Sequence, residues 1–153
     1  MQLVAASHSK VEFNNIVTES DSLNILLYEY MYNGGGVALA DFNKDGLDDI
    51  YFTGSVVDNA LYLNKGNLVF EDITKKANAS CSGSWSMGVS VIDINNDGWL
   101  DIHIAVSGKV DPEKRKNILL VNQGLNSEGI PEFIDMAESY GLAYDGFSIN
   151  SYF

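Results

Sequence analysis

The chain has 153 residues, 46% of them hydrophobic, and a formal net charge of −12. That length supports one domain with a substantial core, and that charge disfavours nucleic acid, which demands a positive footprint. A single cysteine, Cys81, rules out an internal disulfide, and no apolar run approaches the ~18–20 residues that a membrane-spanning helix needs.

The first six residues are too short to form the apolar region of a signal peptide. Phe13-Asn14-Asn15-Ile16 has the pattern that later closes each of two repeats. Residues 1–33 therefore read as the last strand of a preceding unit followed by a linker. His8 lies in this tail, away from any candidate acid–base partner.

Residues 34–83 form the first repeat. Gly34-Gly35-Gly36 lacks the Lys-Ser/Thr of a phosphate loop and runs into the small-residue strand Val37-Ala38-Leu39-Ala40. Next comes Asp41-Phe42-Asn43-Lys44-Asp45-Gly46-Leu47-Asp48-Asp49, which leads directly into Ile50-Tyr51-Phe52. Two further short strands follow, around Leu61-Tyr62-Leu63-Asn64 and Phe70-Glu71-Asp72-Ile73, joined by turns rich in Gly and Asn.

Residues 84–145 repeat the plan. The acid loop returns 52 positions later as Asp93-Ile94-Asn95-Asn96-Asp97-Gly98-Trp99-Leu100-Asp101, before Ile102-His103-Ile104. Leu119-Leu120-Val121-Asn122 and Phe133-Ile134-Asp135-Met136 match the third and fourth strands, with insertions near 109–116 and 126–130. The basic cluster Lys114-Arg115-Lys116 falls in the first insertion and is expected to be a solvated hairpin tip. Residues 146–153 resemble the start of the second repeat, Gly146-Phe147-Ser148-Ile149 aligning with Ser84-Trp85-Ser86-Met87.

Seven of the thirteen aspartates lie in the two loops, so much of the acidity is local chemistry. Both loops have the form D-x-N-x-D-G-x-x-D. Calcium takes six to eight oxygen ligands at about 2.3–2.6 Å and tolerates irregular geometry. Side chains at positions 1, 3 and 5 converge if the backbone coils tightly, and the position-6 glycine permits that coil by accepting positive φ. The predicted ligands are Asp41, Asn43, Asp45, the Leu47 carbonyl and Asp49 in one loop. In the other they are Asp93, Asn95, Asp97, the Trp99 carbonyl and Asp101. An EF-hand requires a position-12 glutamate between helices; here position 12 is Phe52 or Ile104 and the flanks favour strands. Two calcium ions are expected, and the three crowded carboxylates of an empty loop should leave it strained or mobile.

Four-strand meanders in tandem predict an all-β fold of β-propeller blades, each a four-stranded antiparallel sheet with the calcium loop between its first two strands. Small residues suit the innermost strand, and Tyr51, Phe52, Tyr62 and Phe70 are expected to fill the space between blades. Trp85 and Trp99 are expected to pack rather than to form a ligand platform. Two blades cannot close a ring, so a partial propeller within a longer parent chain is expected, the other blades acting as its partners.

The sequences Gly36-Val37-Ala38-Leu39-Ala40-Asp41 through Ile50 and Trp85-Ser86-Met87-Gly88 through Ile102 resemble the FG-GAP/VCBS repeat family. This is the family of integrin α-like propellers, and the likeness is nearest to bacterial secreted VCBS-repeat proteins that often carry an ASPIC/UnbV domain. The Phe-Gly and Gly-Ala-Pro signatures are absent, and no ASPIC/UnbV segment is visible. The resemblance implies calcium in both loops and an extracellular or outer cell-surface location. It implies binding or adhesion to a protein or carbohydrate ligand. With no convergent acid, base or nucleophile outside the two loops no enzymatic activity is expected, and the charge and the lack of a long apolar run predict no nucleic acid and no membrane span in this segment. A secreted propeller enzyme acting on polysaccharide and a purely structural spacer are the alternative readings. The loops at 55–59 and 109–117 are the candidate ligand positions, and Asn78-Ala79-Ser80 matches a glycosylation acceptor.

Overall fold

A computed structural model describes residues 3–108 and 114–153. Strands β1 (Val37–Ala40), β2 (Asp49–Phe52), β3 (Ala60–Asn64) and β4 (Phe70–Asp72) form one antiparallel sheet in that order. A second sheet repeats the order with β5 (Ser86–Ile92), β6 (Asp101–Val106), β7 (Ile118–Leu125) and β8 (Pro131–Asp135). Each acid loop joins the first two strands of its sheet. Ala38 pairs with Tyr51 and Leu39 with Ile50 across the first loop, as Val91 pairs with Ile102 across the second.

The sheets pack face to face. Ala38, Ala40, Tyr51, Leu61 and Leu63 meet Ile102, Ile104, Val106, Ile118 and Leu120 in the main core. Burying each large apolar side chain contributes about 1.5–3 kcal/mol. The buried Tyr51 hydroxyl donates to the Ala79 carbonyl (2.8 Å) and accepts from Asn59 Nδ2 (3.0 Å), so no polar atom of that ring is stranded.

The 52-residue offset exposes a feature of this packing. Tyr51 and His103 hold equivalent places, yet Tyr51 faces the other sheet, whereas His103 faces away and meets Ser151 Oγ (2.7 Å) and the Phe153 ring. Ile50 and Ile102 are likewise equivalent, and only Ile102 lies in the shared core. Unlike faces therefore meet, head to tail, which is a heterologous contact of the kind that generates rings. The first strands of the two sheets are close: a Cβ added at Gly36 would lie 2.9 Å from the Met87 carbonyl oxygen.

Between Ser86 and Val89 the register of β5 shifts, and the Gly88 N–H donates instead to the Ile149 carbonyl (2.9 Å). A Cβ at Gly88 would lie 2.6 Å from that oxygen. Residues 149–153 thus lie over the second sheet much as β5 lies over the first, although they form no strand. The free face of the first sheet leaves Val37 and Leu39 about 60% exposed (59% and 63%).

The N-terminal region differs from expectation. Residues 13–16 form no strand; among the described residues no sheet edge pairs with them. Phe13 stacks on Phe52 (4.9 Å between ring centroids), and the Glu12 N–H donates to the Tyr62 hydroxyl (3.4 Å). Phe52 and Tyr62 are therefore covered by this tail, and only Tyr51 of the expected aromatic set fills the space between the two sheets. One helical turn, α1 (Ala6–Ser9), precedes it. Among the described residues no helix is long and apolar enough to cross a membrane.

The basic cluster is tied down rather than simply solvated. Lys116 pairs with Glu138 (3.1 Å), while Arg115 Nε donates to the Asp145 carbonyl and its guanidinium lies 4.4 Å above the Phe147 ring. Aromatic faces attract cations, which explains why this arginine folds back. The remainder of the expected hairpin, at 109–113, lies outside the described residues.

Candidate metal centres

Each acid loop is a coil closed by its own side chains. Asp41 accepts from the N–H groups of Asp45 (3.1 Å) and Gly46 (2.8 Å) through its two oxygens. Asn43 Oδ1 accepts a second bond from the Asp45 N–H (3.2 Å), and Asp45 Oδ1 accepts from the Leu47 N–H (2.9 Å). Asn43 Nδ2 donates to Asp45 Oδ2 (2.9 Å). Short polar side chains compete well for nearby backbone donors, and this is why Asp and Asn in alternate positions wind the chain so tightly.

The second loop reproduces every one of these bonds. Asp93 accepts from Asp97 (3.1 Å) and Gly98 (2.9 Å), Asn95 Oδ1 from Asp97 (3.1 Å), and Asp97 from Trp99 (2.7 Å) and from Asn95 Nδ2 (2.7 Å). Two left-handed residues make the coil: Gly46 (φ 87°) and Gly98 (φ 84°) at position 6, and Lys44 (φ 59°) and Asn96 (φ 57°) at position 4. For the lysine that conformation costs about 1–2 kcal/mol.

Position 9 is different in kind. Asp49 and Asp101 are fully buried at the start of β2 and β6. Asp49 accepts from the N–H groups of Phe42 (3.0 Å) and Asn64 (2.9 Å); Asp101 accepts from those of Ile94 (2.9 Å) and Asn122 (2.8 Å). Each carboxylate therefore pins its loop to the third strand of its own sheet. Burial pushes the Asp49 carboxyl up to about 6 against the pull of those two N–H groups, with Asp45 and Asp41 adding repulsion. Asp101 is raised for the same reasons, with Asp97 and Asp93 as the repelling neighbours.

All ten predicted ligands thus lie in two matching loops, and every donor atom is a hard oxygen of the sort calcium selects. Each carboxylate oxygen that accepts one N–H retains a further lone pair. Among the described residues no hydrogen bond uses the Leu47 or Trp99 carbonyl. The donor set fits a calcium ion on those grounds. The acidic side chains nevertheless point at backbone donors: among the described residues, no three acidic, histidine or cysteine side chains form a group poised to hold a metal.

Sequence reasoning missed the links between the loops. Lys44 Nζ lies 3.9 Å above the Trp99 ring, joining position 4 of one loop to position 7 of the other. Asn122 Nδ2 donates to the carbonyls of Phe42 (3.0 Å), at position 2 of the first loop, and Leu100 (3.3 Å), at position 8 of the second. Asn64 and Asn122 recur at matched positions, which was the available signal for their supporting role.

Residues 41–104 match the family model described as an FG-GAP-like repeat. The match opens on the first residue of the first acid loop and continues past the second loop into β6. No curated protein matches the chain.

Proposed function

We propose that this chain is a segment of a β-propeller, integrin α-like in its repeats, in which two calcium ions stabilise the blades and binding, not catalysis, is the task. The reading places it at the cell exterior, in adhesion or ligand capture. The observation that carries it is the repetition, bond for bond, of two D-x-N-x-D-G-x-x-D loops at the same corner of two successive sheets.

Asp41, Asn43, Asp45, the Leu47 carbonyl and Asp49 would hold one ion, and Asp93, Asn95, Asp97, the Trp99 carbonyl and Asp101 the other. Each ion would supply the positive charge that three neighbouring carboxylates lack. The role is structural: binding to the folded state alone stabilises it by RT ln(1 + [Ca]/Kd), about 2.7 kcal/mol at a hundredfold excess over Kd. Extracellular modules work at about 10⁻⁴–10⁻³ M, a concentration that keeps such loops filled outside cells. Thermal melting in millimolar calcium and in chelator tests this directly. A higher Tm with calcium, absent with magnesium, is the expected result, and coincident curves would overturn the reading.

A further inference from the structure

Asn64 and Asn122 hold matched places in the third strand of each sheet, and each serves its own acid loop in the same way. The Asn64 N–H donates to Asp49 Oδ1 (2.9 Å) and its Nδ2 to the Asp48 carbonyl (2.9 Å), while its Oδ1 accepts from the Gly66 N–H (2.9 Å). The Asn122 N–H donates to Asp101 Oδ1 (2.8 Å) and its Nδ2 to the Leu100 carbonyl (3.3 Å), while its Oδ1 accepts from the Gly124 N–H (2.9 Å). Asn122 makes one bond more. Its Nδ2 also donates to the Phe42 carbonyl of the other loop, at 3.0 Å.

That extra bond closes a path between the two candidate sites. The Phe42 N–H donates to Asp49 Oδ2 (3.0 Å), the Phe42 carbonyl accepts from Asn122, and the Asn122 N–H donates to Asp101. Each end of the path is a fully buried position-9 carboxylate, and Asn122 itself is 1% exposed. A buried donor that loses its acceptor is costly to leave unmet, so a shift at one link is passed to the next. The Phe42 carbonyl lies on the peptide that leads into Asn43, and the Leu100 carbonyl on the peptide that leads into Asp101. One amide thus fixes the peptide plane just before a predicted ligand in each loop.

Two opposed effects set the sign of the coupling. Each loop carries three predicted ligand carboxylates, so an ion in one loop weakens the negative field that draws an ion to the other. Both loops have exposed rims, however, and salt screens exposed charges, with a Debye length of about 8 Å at physiological ionic strength. The buried amide is not screened in this way. An ion that fixes Asn43 and Asp49 orders the peptide groups on which Asn122 depends, and that ordering cost does not recur for the second ion.

We infer that the two loops fill cooperatively, with Asn122 as the positioning residue that couples them. This coupling rests on the calcium reading above and adds a regulation to it: the pair fills over a narrower range of calcium than independent loops would.

The Gly46 and Gly98 amides, one in each loop and donating to Asp41 and Asp93, report each site by ¹H–¹⁵N spectroscopy during calcium titration in physiological salt. Both signals should rise more steeply than a one-site curve, with a coupling factor of about five, the same seen from either loop. In Asp93→Ala the Gly46 signal should follow a one-site curve with a higher midpoint. Asn122→Ala should bring the coupling factor to one. Asn64→Ala removes the matching bonds within its own sheet and none between the loops, so it should weaken the first site and leave the factor intact. One-site curves at both glycines of the unmodified protein overturn the coupling alone, and decide the matter even if Asn122→Ala does not fold. An undiminished factor in Asn122→Ala, or an equal loss in Asn64→Ala, also overturns it. No calcium-dependent shift at either glycine overturns the coupling and the calcium reading together.

Discussion

The two acid loops have the same internal hydrogen bonds, and they differ in what holds them from outside. Phe42, at position 2 of the first loop, is fully buried against the second sheet, edge-on to Phe133 at 6.0 Å. Its counterpart Ile94 is only half-buried and packs on the cluster formed by Leu119 and Val121 of β7 and Ala137 beyond β8. The first loop is thus anchored by the next sheet, and the second only by its own sheet and the segment that follows it. Ligand geometry is a local property of nine residues, whereas the rigidity of the site is borrowed from its neighbour.

That contrast can be broken most forcefully at position 9. Replacing Asp49 or Asp101 with alanine strands one buried and one partly buried N–H group, a buried one costing about 1–3 kcal/mol. The loss should reach roughly 2–5 kcal/mol even in chelator, as read from urea midpoints. Asp101→Ala should cost more, because Asn122, which it holds, also donates to Phe42 of the other loop. Equal losses would show that the two loops are independent.

Position 1 gives the next largest effect. Asp41→Ala and Asp93→Ala remove exposed to half-buried bonds and should each abolish one of two calcium equivalents in calorimetry while leaving the other. The stabilisation by calcium should fall by about half in either variant. Retention of two equivalents would place the ions elsewhere.

A smaller effect, with a sign that separates two causes, is expected at Lys44. Lys44→Met loses a cation–π contact worth about 0.5–1 kcal/mol at an exposed site, so the chelated protein should melt slightly lower. The same change removes a positive charge beside the second loop, so calcium should bind there more tightly. Weaker binding would mean that the ring contact, not the charge, matters to the site.

The last effect is with pH, in chelator. The folded-state pKa of Asp49 is raised to about 6, above its ordinary value near 4. Its contribution is therefore fully present below about pH 4 and is lost as pH rises through about 6. The ion-free protein should gain stability from this group on mild acidification, and Asp49→Asn should flatten that part of the profile. The calcium-loaded protein should show the reverse trend, since the ion holds the carboxylate ionised.

Much of this was readable from residues alone, because the determinants are local. The spacing of Asp, Asn and Gly fixes the coil, and alternation of small and large apolar residues fixes the strands on either side. The eight strands fall within a few residues of expectation for that reason. What was not readable depends on how the sheets are set against each other. That Tyr51 lies in the shared core while its equivalent His103 points on, away from it, that Lys44 reaches Trp99, and that Asn122 bridges both loops are consequences of how one sheet is set on the next, which no single repeat encodes. Phe13 misled because an apolar-polar pattern specifies a strand only when an edge is there to pair with it.

The placement of Trp99 gives the molecule an optical gauge of its own. Its carbonyl belongs to one loop's donor set while a lysine of the other loop sits on its ring, so any rearrangement there alters the quenching of its emission. Trp85, sealed in the interior, supplies a steady blue-shifted background against which that change is read. Filling of the second loop can therefore be followed by fluorescence in the unlabelled protein, and Trp99→Phe should erase the signal while the melting response to calcium persists.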